Sequence, residues 1–183
     1  MDSLFKEDQQ YRVSLIKLEK EAAPKQQIDS LRKLIKQKDG SKLAFITGLL
    51  DTKGWLGPQE IGIQGTQALF LIIQHAGLKI QKKYYPLILQ VEKEAKILSS
   101  NVAILEDRIA IREGRPQTYG SQGFYDPQTK KNYTYPLTDP ENIDTLRKSR
   151  GLQPMIEYKK DWSIEDYNTN LAKAEEHLKK IMN

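Results

Sequence analysis

QTYGSQGFYDPQTKKNYTYPL, the run from Gln117 to Leu137, decides the fold class of this chain. It is rich in Tyr, Thr, Phe and Gly, and Asp126-Pro127-Gln128-Thr129-Lys130-Lys131 stands as a turn between two β-prone runs. One β-hairpin is therefore predicted. On both sides of it, apolar residues recur every three or four positions, the period of amphipathic helices. The expected architecture is mainly α (α+β), a compact bundle of about six to eight helices with one β-hairpin packed on it.

Working back from the hairpin, residues 101–113 and 79–98 read as two helices. Pro86 is tolerable only near a helix start or at a kink, so residues 79–85 are expected to form a turn of their own. Helical patterning upstream ends at Ala76 and begins near Pro58 or Thr66, after the turn Lys53-Gly54-Trp55-Leu56-Gly57-Pro58. Asp39-Gly40-Ser41 reads as a stop followed by a new N-cap, which separates a helix over 25–38 from a short one over 42–52. Leu4, Tyr11, Leu15, Leu18 and Ala22 mark a first helix, closed by Pro24. Within it, Asp8 and Arg12 are spaced as a helix-stabilising pair.

Downstream, a helix over about 140–149 and a short segment, Met155 to Tyr158, precede a terminal helix. Ser163 caps that helix with Asp166 at the third position, and Trp162 is set to staple onto Tyr167. Its stripe is Ile164, Tyr167, Leu171, Ala174, Leu178 and Ile181. Nothing marks an internal boundary, so one domain over 1–183 is expected.

Composition narrows the chemistry. With 38% hydrophobic and 29% charged residues, the chain is neither collagen-like nor wholly disordered. The absence of Cys removes disulfides, thiolate nucleophiles, iron–sulfur clusters and cysteine-based zinc sites. Two histidines, His75 and His177, cannot build a histidine-rich metal centre; a hard-cation site of carboxylates stays conceivable, but no metal and no cofactor are predicted. Gly57 and Gly62 have the separation of a phosphate loop, but Ile63 and Gln64 stand where Lys and Ser/Thr belong. The net charge of +5 attracts polyanions weakly. Lysines and acids are interspersed rather than clustered on one face, so nucleic acid is not an expected partner. The longest apolar run, Ala68 to Ile73, falls far short of the roughly 20 residues a membrane-crossing helix needs. The acidic start Met1-Asp2-Ser3-Leu4-Phe5-Lys6-Glu7 lacks a leader pattern, which makes the cytoplasm the default. Removal of a leader upstream would fit the periplasm or the exterior equally.

Candidate functional residues come from polar groups in apolar settings. Gln67 to Ala76 is apolar nearly all round, so its helix is buried and its polar groups need partners. Gln64, Gln67, Leu71, Gln74 and His75 share one broad face there. His75 is either a satisfied helix-terminal histidine or an acid/base or ligand donor. His177 is expected to be exposed.

Arg108, between Ile104 and Ile111 at helical spacing, needs a partner, from the protein or from a bound anion. Asp107 lies about 100° around the helix from it and is better placed to fix another group. Gln117 and Tyr119 alternate onto one strand face and Gln122 onto the other, unless a bulge at Gly120 reunites them. Trp55, beside Gly54 and Gly57, is a core plug or a ligand wall.

Asp8-Gln9-x-Tyr11-Arg12, Gly54-Trp55 with Ile61-Gly62, Gln74-His75-Ala76, Asp107-Arg108-Ile109 and Gln117-Thr118-Tyr119-Gly120-Ser121-Gln122 together resemble the bacterial family of unknown function DUF6624. The resemblance spans about residues 8–158 and leaves helix 163–181 outside. The chain departs from the family's common pattern at Leu56, Gly77 and Ser121. The family implies no established activity.

Three readings follow. In the first, a cleft between the buried helices and the hairpin gathers His75, Arg108, Gln74, Asp107, Gln117, Tyr119, Gln122 and Trp55 around a small polar or anionic ligand. In the second, the chain is a hydrolase or transferase with His75 as acid/base and Arg108 stabilising developing negative charge. In the third, the polar groups form a structural network, and the C-terminal helix offers its surface to a protein partner.

Overall fold

Gly40 does not stop its helix. Asp39-Gly40-Ser41 lies inside one α-helix of 29 residues, because the groups that would build a stop are engaged otherwise. The Asp39 carboxylate accepts from Arg12 Nη2 at 3.0 and 3.2 Å, and the Ser41 hydroxyl donates back to the Gln37 carbonyl at 3.4 Å. A helical glycine costs about 1 kcal/mol relative to alanine. The buried face of Ile35, Lys42, Ile46 and Leu50, which straddles it, carries the helix through.

The computed structural model describes residues 2–181, with side chains from residue 10 onward apart from that of residue 20. The Asp8–Arg12 pairing therefore falls partly outside the described residues. Among them are eight helices and one two-stranded antiparallel hairpin, so the protein is mainly α with a small β-hairpin. The chain divides into two compact units after Lys96.

The first unit holds α1 (Asp2–Lys20), α2 (Lys25–Lys53), α3 (Pro58–His75) and α4 (Leu78–Lys93). α1 packs on α2 and α3, α2 on α3, and α3 on α4. The sequence leaves two starts open for α3, and both are present: Pro58 opens it and Gly62, at φ 73°, breaks it before Thr66. The Thr66 hydroxyl donates to the Gly62 carbonyl at 3.0 Å across that break.

The turn expected over 79–85 is absent. Pro86 sits within continuous α4, held by the buried residues Gln81, Tyr84, Ile88 and Val91 on one face. The helix also ends earlier than its apolar pattern, where Ala95 takes φ 54° and the Lys96 N–H returns to the Val91 carbonyl. Tyr84 ties α4 to α2, donating to Asp51 at 2.8 Å, and Lys83 pairs with the same carboxylate at 2.7 Å.

The second unit holds α5 (Ser99–Arg112), β1 (Gly123–Asp126), β2 (Lys131–Thr134), α6 (Ile143–Ser149), α7 (Met155–Tyr158) and α8 (Ile164–Ile181). The strands pair from Gly123↔Thr134 to Asp126↔Lys131. A Cβ at Gly123 would lie 2.5 Å from the Tyr133 carbonyl oxygen, so glycine is required there.

Asp126 shapes the turn by accepting from the Gln128 N–H and the Thr129 hydroxyl, and it pairs with Lys173 of α8. Ser163 caps α8 through the Asp166 N–H at 3.0 Å, and Trp162 meets Tyr167 at 5.4 Å, as the sequence predicts. The α8 stripe is buried in the unit's own core, where Tyr167 joins Leu137, Ile143 and Met155, and Leu178 joins Ile111 and Tyr135. His177 is not the exposed residue expected. It stacks on Phe124 at 3.8 Å and shares a 3.0 Å hydrogen bond with the Tyr135 hydroxyl.

Candidate functional site

Because α2 continues past Gly40, Lys36, Asp39, Gly40 and Leu43 fall at i, i+3, i+4 and i+7 on one helix face. Arg12 of α1, Ile72 and His75 of α3, Lys42 and the link Ala76-Gly77 line a hollow with that face among the described residues. Its volume is about 410 Å³, within the range of small-molecule pockets.

The cavity combines two chemistries. Leu43, Ile72, Ala76 and the aliphatic stems of the long side chains make its lining mostly apolar. Three cations, Arg12, Lys36 and Lys42, stand against one carboxylate, Asp39, among the described lining residues. Arg12 and Asp39 are paired with each other at 3.0 Å. Lys42 is only 5% exposed, an unusual position for an ammonium group, which is almost never fully buried without compensation.

His75 is the last residue of α3, at the negative end of that helix. Gly77 is the N-cap of α4, so the positive end of that helix opens on the same hollow.

Of the residues singled out from sequence, Trp55, Gln74 and His75 belong to the first unit, and His75 lines the cavity. Gln74 is buried, and its carbonyl accepts from Gln81 Nε2 at 2.5 Å, which joins the end of α3 to the start of α4. Trp55 is buried in the link between α2 and α3, and its Nε1 has no hydrogen-bond partner among the described residues.

Asp107, Arg108, Gln117, Tyr119 and Gln122 belong to the second unit. Asp107, 1% exposed on α5, accepts the backbone N–H groups of Thr118 and Tyr119 on Oδ1 at 2.8 and 2.9 Å, and that of Ser121 on Oδ2 at 2.8 Å. It thus fixes another group, as its position on the helix predicts. Burial pushes its carboxyl pKa up, while the three N–H donors pull it down.

Gln117 is fully buried. Its amide donates to the Gln122 and Tyr135 carbonyls at 2.9 and 3.1 Å, and its Oε1 accepts the Gln122 N–H at 2.8 Å. Gly120 takes φ 68°, the conformation expected of it, and the segment winds as a loop around Asp107 rather than as a strand bulge. The Tyr119 hydroxyl is bonded to Glu106, and Arg150 lies 5.7 Å above its ring. Burial, with the Glu106 charge second, pushes that phenol up. Gln122 lines a separate hollow of about 340 Å³ with Ser121, Asn132, Met155 and Tyr158. Arg108 is half-buried on α5.

Arg147 is the functional side chain that sequence reading misses. It is 1% exposed and donates from Nε to the Gln153 carbonyl and from Nη1 to the Tyr119 carbonyl, both at 2.6 Å. The Tyr158 ring lies 4.7 Å from its guanidinium. Asp107 and Arg147 therefore grip one loop by its N–H groups and by a carbonyl. No group of three or more His, Asp or Glu is placed to hold a metal among the described residues, and no described helix is long and apolar enough to cross a membrane.

A mainly helical protein with a cavity whose described charged residues are three cations and one carboxylate in one unit, and a backbone-bonded polar loop in the other, is the class these features define. The chain belongs to the family of unknown function DUF6624, whose model matches residues 5–169. The match begins in α1 and reaches into α8. No curated protein and no solved structure matches the chain.

Proposed function

We propose that the first unit binds a small anionic molecule in the cavity between α1, α2 and α3. The observation that carries this reading is a buried ammonium, Lys42, lining a hollow whose described charged residues are three cations and one carboxylate. Among the described residues Arg12 and Asp39 are paired with each other at the hollow, and Lys36 and Lys42 line it beside them, where a charge-assisted hydrogen bond to an anion would form.

The test is titration calorimetry of the whole chain with a panel of small anions, with Lys42→Met as the control variant. A charge-assisted hydrogen bond contributes about 1.5–3 kcal/mol, so the variant loses roughly 10- to 100-fold in affinity. No binding by any anion at millimolar concentration, or equal binding by Lys42→Met, refutes the proposal.

The enzymatic reading draws support from one observation, that His75 lines this same cavity. Its test is turnover of a bound anion, with a pH profile that His75→Gln abolishes. In the second unit the hydrogen bonds favour the network reading. Asp107 and Gln117 bond to backbone, and the contribution we assign them is to the shape of the loop.

A further inference from the structure

We infer that the hollow beside the hairpin in the second unit is a binding site of its own, and that it takes a sugar acid, a single hexuronate ring. It is independent of the cavity between α1, α2 and α3.

The hollow, of about 340 Å³, is lined by the loop that Asp107 and Gln117 hold, by β2 and by the end of α7. On the loop side, Asp107 fixes the Ser121 N–H at 2.8 Å and Gln117 fixes that of Gln122 at 2.8 Å. The Tyr158 hydroxyl adds a bond to the Ser121 carbonyl at 3.1 Å, and Gln122 Nε2 donates to Ser121 Oγ at 3.0 Å. The Gln122 carboxamide is therefore oriented before any ligand arrives, which lowers the entropy lost on binding.

On the strand side, Asn132 and Thr134 stand two residues apart and share one face of β2, while Tyr133 between them turns its ring to Phe124. Thr134 is 7% exposed and lines the hollow, and its hydroxyl makes no hydrogen bond among the described residues. A hydroxyl in so closed a place calls for a partner.

The residue types identify the ligand class. Carboxamides at Gln122 and Asn132 and the hydroxyl of Thr134 each both donate and accept, which matches sugar hydroxyls that do the same. A phosphate only accepts, and would use half of that capacity. The Tyr158 ring, 50% exposed and backed by the Arg147 guanidinium at 4.7 Å, offers a flat apolar surface to the C–H face of a sugar. Half-buried Lys159 brings an ammonium group to the same hollow, and it selects a sugar that carries a carboxylate.

The experiment follows backbone-amide NMR shifts of the isotope-labelled whole chain during titration with glucuronate, with glucose as the uncharged comparator and inorganic phosphate as the alternative anion. Glucuronate is expected to move amides within 120–124, 132–134 and 155–159 to saturation, and glucose to move the same amides at roughly tenfold lower affinity. Lys159→Met brings glucuronate down to the level of glucose. Asn132→Ala, at an exposed position, and the isosteric Thr134→Val each weaken both sugars by roughly 2- to 10-fold, with the spectrum elsewhere unchanged.

No shift in these segments at tens of millimolar glucuronate overturns the inference. So do shifts confined to 36–43 and 72–77, which would place the sugar acid in the cavity of the first unit and leave the anion-binding reading there standing. Glucose binding as tightly as glucuronate overturns the role given to the carboxylate, and phosphate equal to glucuronate in shifts and affinity overturns the sugar.

Discussion

Asp107→Ala removes the acceptor of three backbone N–H groups at 2.8, 2.9 and 2.8 Å, inside a residue that is 1% exposed. Each bond to a carboxylate contributes about 1.5–3 kcal/mol, and a buried donor left unmet costs about 1–3 kcal/mol. Relaxation of the loop and water entering the vacated space recover part of this, which leaves a loss of about 3–5 kcal/mol. That is a large share of the roughly 5–15 kcal/mol that hold an ordinary domain together. Asp107→Asn is milder, because its oxygen keeps the two bonds made by Oδ1 and only the Ser121 N–H then faces an NH₂ group. Its cost is about 2 kcal/mol.

The assay exploits the placement of the two tryptophans, Trp55 in the first unit and Trp162 in the second. In a Trp55→Phe background, Trp162 alone reports, from its place against Tyr167 and the core of Leu137, Ile143 and Met155. With a urea slope near 2 kcal/mol/M, the alanine variant moves the midpoint down by about 1.5–2.5 M and the asparagine variant by about 1 M. An alanine shift equivalent to less than about 1 kcal/mol refutes the claim that Asp107 holds the loop. So does an asparagine variant as damaged as the alanine one.

Gly40→Ala raises the melting temperature by a few degrees, corresponding to about 0.5–1 kcal/mol, because Gly40 has no positive φ and a Cβ there meets nothing within 4 Å among the described residues. A drop in melting temperature would instead mark a left-handed stop between two helices. Acid unfolding of the second unit draws on Asp126, whose carboxyl is pulled down to about 2 chiefly by Lys173, with the Gln128 N–H next among the lowering contacts. A depressed folded-state pKa gives stability that is complete above the ordinary value of 3.8 and lost as pH falls toward 2. Urea midpoints followed through Trp162 should therefore fall across that window, and the slope should flatten in Asp126→Asn. Asp107 has the opposite sign, since a raised folded-state pKa gains stability as pH falls, so an unchanged slope in Asp126→Asn contradicts the assignment.

How much of this was legible in the chain depends on how local each signal is. The Ser163 cap, the Trp162–Tyr167 contact and the hairpin turn at Asp126 are legible because both partners lie within a few residues of each other. Gly40 and Pro86 mislead for the converse reason. Their local preference for ending a helix is real, amounting to about 1 and 3 kcal/mol, but it is overridden by buried faces that extend through both positions. The cavity escapes the sequence for the same reason, since Lys36, Asp39 and Leu43 share a face only if the helix is unbroken.

Asp107 and Arg147 differ in legibility although both hold one loop. Asp107 sits among apolar helix residues, where an acid demands a partner. Arg147 lies in the polar run Asp144-Thr145-Leu146-Arg147-Lys148, where one more cation attracts no notice. The groups these two residues bind are backbone N–H and carbonyl groups, which nearly every residue carries, so no residue type in the partner segment could announce the contact. A cavity is still less legible, because it is volume that three helices fail to fill. Lys42 was the available clue, a charged residue at the position where the Ile35, Ile46 and Leu50 stripe of α2 calls for an apolar one.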